Sequence, residues 1–347
     1  MNEAGQIVRL DPAAGIEGGE VVIECTGFNA HPFKACGAWF GQSAFDGERA
    51  RLVGASSRRV LAIVPETQTG GEVEIALESE SGRTAPARFV VGAKLAEDLH
   101  PVTNPAFDPD DGALYVTRSG SRGQQLPVSI FRIDTRGEIE DFSGDITNPT
   151  GIAFDKAGQM YVTSRLDGVV YLVSSFKEAT PFAKNVGVAT GLAFDSRGRM
   201  YVGDRTGTIY RVNGIGEEEA WAQLEPSVSA YHLAFGRDDA LYVTGPTVSS
   251  FDSVTRIDEN GRASVFYKGL GRPQGLAFDV NGNLYVAASL RGRRGIVRIS
   301  SDGSEAEMAV AGMNVVGLAF SDAGEMVVAT TEAVYSLPLG ISGTLLR

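Results

Sequence analysis

After residue 100 the apolar and polar positions repeat a single block: a small residue, an apolar residue, Ala-Phe, a polar turn of about four residues, then an apolar residue and Tyr-Val. It reads "TGIAFDKAGQMYV" from Thr150, "TGLAFDSRGRMYV" from Thr190, "YHLAFGRDDALYV" from Tyr231, "QGLAFDVNGNLYV" from Gln274 and "VGLAFSDAGEMVV" from Val316. A looser copy with one extra turn residue, "TNPAFDPDDGALYV", starts at Thr103. The phenylalanines Phe107, Phe154, Phe194, Phe235, Phe278 and Phe320 are 40 to 47 residues apart, the length of a four-stranded propeller blade. Within a copy the two β-rich runs flank an Asp-x-x-Gly turn. An alternating third run such as "GIVRIS" and a fourth such as "RASVFYKG" complete four strands. No copy holds a sustained 3.6-residue apolar period, which disfavours crossover helices.

Counting eight residues back from each block reaches Phe142, Phe182, Phe266 and Met308 in the preceding fourth strands, and Leu95 ahead of the first copy. Residues 93–98 are therefore expected to supply the outer strand of the last blade and remove the open edge. The tail from residue 341 to 347, "ISGTLLR", is then left over and expected to fray. Residues 1–92 do not repeat. Their short β-rich runs with turn signals about every ten residues read as a small sandwich. The expected fold is all-β in two domains, 1–92 and 93–340.

The first domain resembles the immunoglobulin-like IPT/TIG family through "IVRLDPAAGIEGGEVVIECTGF", "WFG", "GGEVEIAL" and "ARFVV". The second, through "GLAFD..G.LYV", resembles six-bladed NHL-type propellers and the senescence-marker/gluconolactonase-like lactone hydrolases. The latter resemblance implies a divalent metal in the channel, held by Glu, Asn and Asp four residues before the block's Phe. Those positions are here Thr103, Thr150, Thr190, Tyr231, Gln274 and Val316, with no carboxylate among them. Hard cations prefer anionic oxygen ligands, so no metal or other cofactor is expected. Calcium or another divalent ion belongs to the alternative, a divergent lactonase.

Composition narrows the remaining choices. Lys and Arg number 31 against 43 Asp and Glu, a net charge of −12, which argues against duplex nucleic acid as a partner. No apolar run approaches the roughly 20 residues of a spanning helix, so no membrane insertion is expected. The opening "MNEAGQIVRL" has no export signal, which makes the cytoplasm the default and the periplasm or exterior the alternative. The loops after the second strands carry Arg118, Arg122, Arg165, Arg205, Arg291, Arg293 and Arg294, an arginine rim suited to carboxylate or phosphate. The competing expectation pairs them with Asp167, Asp252 and neighbours.

The reading is a binding protein rather than an enzyme. Its propeller face would carry Thr103, Thr150, Thr190, Tyr231, His232 and Gln274 beneath the arginine rim, for an anionic small molecule, a glycan or a protein. His232 replaces a Gly of the block and is expected to fill space. Cys25 and Cys36 point into the sandwich either as two small hydrophobes or as a disulfide. Trp39 and Trp221 are expected to pack.

Overall fold

A computed structural model describes residues 5–43, 46–66, 70–121 and 123–344. Among these, a single 3-10 turn at Phe33–Ala35 accompanies strands throughout. The N-terminal region forms two layers. One has the order Gln6–Asp11, Glu20–Thr26, Arg59–Ile63, Leu52–Ala55; the other runs Ala87–Val91, Gly71–Ser79, Gly37–Ser43, Asp46–Ala50. Alternation in Glu20–Thr26 buries Ile23 and Cys25 and exposes Glu24, and residues of both layers share one apolar cluster. Cys25 and Cys36 lie in that cluster as free thiols, which corrects the disulfide alternative. The Cys25 Sγ faces Ser56 O, whereas the Cys36 Sγ faces Asn29 O and Pro32 O.

From residue 106 the block becomes a run of four-stranded antiparallel units. The second is typical: Pro149–Phe154, Met160–Ser164, Val169–Val173 and Ala179–Ala183 pair in that order. The last unit takes three strands from the C-terminus, Val315–Phe320, Met326–Thr330 and Ala333–Leu337, while Ala93–Glu97 pairs antiparallel with the third of them. First strands touch in order, and the sixth touches the first. The Asp of the block makes its turn: Asp155 Oδ1 accepts from Ala157 N and Gln159 N, both at 2.9 Å, an Asx geometry that Asp195 and Asp279 repeat. Tyr201 then wedges edge-on between Trp221 of its own unit and Phe235 of the next, which places Trp221 in the core.

The two regions are joined at the fifth unit. Gly15 pairs in parallel with Ala311, and Ile16 N donates to Ala311 O at 2.9 Å. Arg293 Nη1 meets Asp11 Oδ2 at 2.7 Å, and its Nη2 donates to Asp11 O. The tail does not fray over its described part, a second correction. Ile341 N bonds Gly324 O, Gly343 bridges Asp279, and Thr344 N donates to Phe278 O at 3.0 Å. Residues 345–347 lie outside the described residues.

Candidate functional site

The first strand of each unit exposes an edge to the axis, and close approach between neighbouring edges explains the block's glycine. A Cβ on Gly151 would sit 2.5 Å from Thr190 O, and one on Gly275 would sit 2.0 Å from Asn104 Oδ1. The edges enclose a pocket of about 400 Å3. Its walls are the repeated Leu-Ala-Phe stretch, with Ala153, Ala277 and Ala319 half-buried on it. Thr103, Asn104 and His232 form the polar end, and Lys156, Ser196, Arg237 and Asp239 stand at the mouth.

Opposite units meet at that polar end. Thr103 Oγ1 lies 3.2 Å from His232 Nδ1 across the axis, and both residues are buried. The other ring nitrogen, His232 Nε2, is buried without a partner. Burial lowers the imidazole pKa from 6.5 to about 4, so the ring is neutral near neutral pH. His232 is thus more than filler: the residue lines the pocket and keeps one buried ring nitrogen without a hydrogen-bond partner.

Asn104 is the residue sequence reasoning missed. Its Nδ2 donates to Leu276 O at 2.8 Å and its Oδ1 accepts from Leu318 N at 3.0 Å, so one amide staples the first unit to the fifth and sixth. The only signal was its place beside Thr103 in the irregular copy. Asn104→Leu is expected to cost about 2 kcal/mol in urea unfolding, because it leaves two backbone groups unpaired. Unchanged stability would show that the staple carries no weight.

The other channel residues are not brought together as a donor ring, a third correction. Thr190 Oγ1 donates to Gly203 O and accepts from Tyr231 N. The Tyr231 hydroxyl donates to Glu225 O, and its ring lies against Gly203 and Gly245, between units. Burial first, and the charges of Asp204 and Glu225 after it, push the Tyr231 phenol up to about 12. Thr150 is buried and faces Asn148 O, and Gln274 is half-buried with its carbonyl accepting from Thr244. Hydroxyls of the second strands make the same inter-unit tie elsewhere: Thr117 donates to Thr150 O and Thr163 to Thr190 O.

The arginines do not ring the pocket either. Each first strand runs toward the Asp turn, where the pocket opens, and the second strand returns, so the loops that carry the arginines lie at the opposite end. Arg293 is spent on Asp11, and Arg122 lies outside the described residues. Arg205, Arg291 and Arg294 are exposed, whereas Arg118 and Arg165 are half-buried. Among the described residues the pairing expected with Asp167 and Asp252 is not formed. Asp167 accepts from the Tyr171 hydroxyl, and Asp252 accepts from Thr247.

A divalent metal does not suit this donor set. The polar end offers a hydroxyl, an amide already bonded on both atoms and one imidazole nitrogen. Among the described residues no three His, Cys, Asp or Glu side chains gather as a metal site. At the mouth, Asp239 is engaged by Ser196 N and Oγ, both at 2.9 Å.

No family model matches the chain, and no curated protein does. Solved structures do. A gluconolactonase from Xanthomonas campestris superposes with a TM-score of 0.57 at 16% identity, over 73% of this chain and 90% of that one. An auxiliary nutrient binding protein from Bacteroides thetaiotaomicron gives 0.55 at 14% identity, over 96% of this chain and 98% of that one. Catalytically inactive virginiamycin B lyase from Staphylococcus aureus gives 0.50 at 15%, over 78% and 96%. These neighbours are β-propeller proteins, and the likeness to them is one of fold.

Proposed function

We propose that this chain is a binding protein without chemistry of its own, and that it takes a small, mainly apolar molecule with one neutral polar end into the axial pocket. The domain organisation in this reading is an immunoglobulin-like, IPT/TIG-type sandwich over residues 1–92, then a six-bladed propeller over 93–340 closed by the strand Ala93–Glu97. The observation that carries the reading is a pocket of about 400 Å3 with apolar walls and, at its inner end, a buried histidine nitrogen lacking a partner. Ligand sites combine this kind of apolar lining with a few oriented polar atoms. A neutral inner end disfavours a deeply buried anion. The ligand's charge, if it has one, belongs at the mouth beside Lys156 and Arg237. The near full-length likeness to a nutrient-binding protein supports a binding role.

Anilinonaphthalene sulfonate serves as a probe, having an apolar body and one charged end. The native protein is expected to bind one equivalent with enhanced fluorescence. Ala277→Leu with Ala319→Leu, which narrows the walls, should weaken binding roughly tenfold or more, the loss of about 1.4 kcal/mol, while far-UV circular dichroism stays unchanged. Equal affinity in the narrowed variant, or no binding by the native protein, would refute the reading.

A further inference from the structure

The C-terminal tail runs into the axial pocket instead of passing beside it. Gly343 pairs antiparallel with Asp279, the residue that follows the fifth unit's first strand, Leu276–Phe278. Val280 N donates to Ser342 O at 2.9 Å, and Thr344 N donates to Phe278 O at 3.0 Å. The first strand runs outward to its Asp turn, so a segment antiparallel to it runs inward. Ser342 therefore stands opposite Val280 at the mouth, and Thr344 opposite Phe278 in the wall. Gly343 and Thr344 line the pocket together with Phe278 and Phe320. The strand Leu276–Phe278 pairs with Leu284–Leu290 on its outer side, so the tail covers the edge that faces the axis.

The segment divides into an anchor and an arm. Leu339 and Ile341 pack against the apolar cluster shared by the fifth and sixth units, and Ile341 N donates to Gly324 O at 3.2 Å. Between them Gly340 turns the chain at a φ of +67°, which glycine adopts without strain. Ser342 and Gly343 are half-buried and Thr344 is exposed. Among the described residues, the ties of this arm are the two backbone bonds and a 3.5 Å contact from the Thr344 hydroxyl to Phe278 O. Segments held by a few exposed backbone bonds open at low cost. Gly343 is nevertheless fitted to its place, since a Cβ there would lie 2.5 Å from Phe320 Cβ. Elsewhere the turns at the mouth are tied by side chains. Ser196 N donates to Asp239 Oδ1 at 2.9 Å, and Arg237 Nη1 donates to Val280 O at 2.6 Å, so the fourth unit and the tail hold the same turn residue.

We propose that Ser342–Thr344 is a built-in competitor for the axial pocket: the arm closes part of the mouth by pairing with the inner edge of the fifth unit, and a ligand enters fully only when those two bonds are released. This rests on the reading of the pocket as a ligand site. An occupant carried on the same chain acts at a fixed effective concentration. It lowers the apparent affinity by the fraction of molecules in which the arm is seated and leaves the site's own contacts unchanged. The anchor at Leu339 and Ile341 keeps the released arm beside the mouth, so closure needs no second molecule.

The test compares the native chain, a chain ending at Ile341, and full-length Gly343→Val, whose side chain Phe320 excludes from the seated position. Anilinonaphthalene sulfonate is the probe. Both variants are expected to bind it roughly tenfold more tightly than the native chain, the size of two backbone bonds of ordinary strength, with far-UV circular dichroism unchanged. In the shortened chain, Ala277→Leu with Ala319→Leu should remove that gain, which places it in the axial pocket. Amide exchange on the native chain needs no variant. The Val280 and Thr344 N–H groups should exchange about tenfold or more faster than that of Asp279, which bonds Asn283 O inside the hairpin at 3.0 Å, and saturating probe should quicken them further. Equal affinity in all three chains would overturn the arm's role and leave the reading of the pocket standing. Weaker binding by the shortened chain would overturn it by making the arm a wall of the site. Val280 and Thr344 amides as protected as that of Asp279 would overturn the opening itself, and no binding by any of the three chains would overturn both readings.

Discussion

Tyr201→Ala is expected to lower the unfolding free energy by roughly 3–5 kcal/mol in urea titration followed by circular dichroism. Tyr201 is 2% exposed, with ring centroids 4.8 Å from Trp221 and 5.0 Å from Phe235, both edge-on. Truncation removes a large buried side chain and two aromatic contacts of about 0.5–1.5 kcal/mol each, and it leaves a cavity between two units that are braced on both sides. Tyr201→Phe keeps the wedge and gives up only a long 3.4 Å hydrogen bond to Asp195, so about 1 kcal/mol or less should be lost. Equal losses in the two variants would show that the hydroxyl, and not the ring, holds the units together. The same wedge recurs with Tyr115, Tyr161 and Tyr242. Tyr285 meets Phe320, but the fourth strand of its unit offers Met308 in place of a ring, so Tyr285→Ala should cost less than Tyr201→Ala.

The second large effect is a pH dependence set by His232. Its pKa falls from 6.5 to about 4 on burial, so the native ring stays neutral while the unfolded chain takes up a proton. The unfolded state binds more protons between these two values, and stability therefore rises with pH across that window. It is complete above about pH 6.5, falls as the pH drops toward 4, and levels off below. The span corresponds to roughly 3 kcal/mol. His232→Gln keeps a polar side chain facing Thr103 and removes the titration, so its stability should be flatter over the same range. Native protein and variant with identical slopes would show that the ring is protonated in the fold.

The repeat was legible because its signal is local. A Phe every 40 to 47 residues, an Asp that caps its own turn and a Tyr-Val run need only near neighbours to specify strands and hairpins. The glycine before Leu-Ala-Phe was visible too, although its reason was not: at Gly275 the obstacle is Asn104, more than 170 residues away. The candidate site was legible only in part. Thr103 and His232 were singled out and do face one another, but Thr190 and Tyr231, drawn from the same register position, are consumed by bonds between units. Equal register did not mean equal environment, because the copies differ in what the neighbouring sheet presents. Arg293 shows the same limit. Beside Arg291 and Arg294 in sequence it looked like one more rim cation, yet Asp11 from the far end of the chain neutralises it.

What the sequence by itself determined is the all-β character, the repeat unit, the turns and the aromatic positions, since period-two burial and turn chemistry are written within a few residues. Tertiary structure alone decided where the pocket opens, that Asn104 staples three units, and that the tail packs against the fifth and sixth. Each of these depends on which polar group finds a partner across a sheet boundary. Such a pairing is decided by distance in space, and the order of residues along the chain carries no record of it.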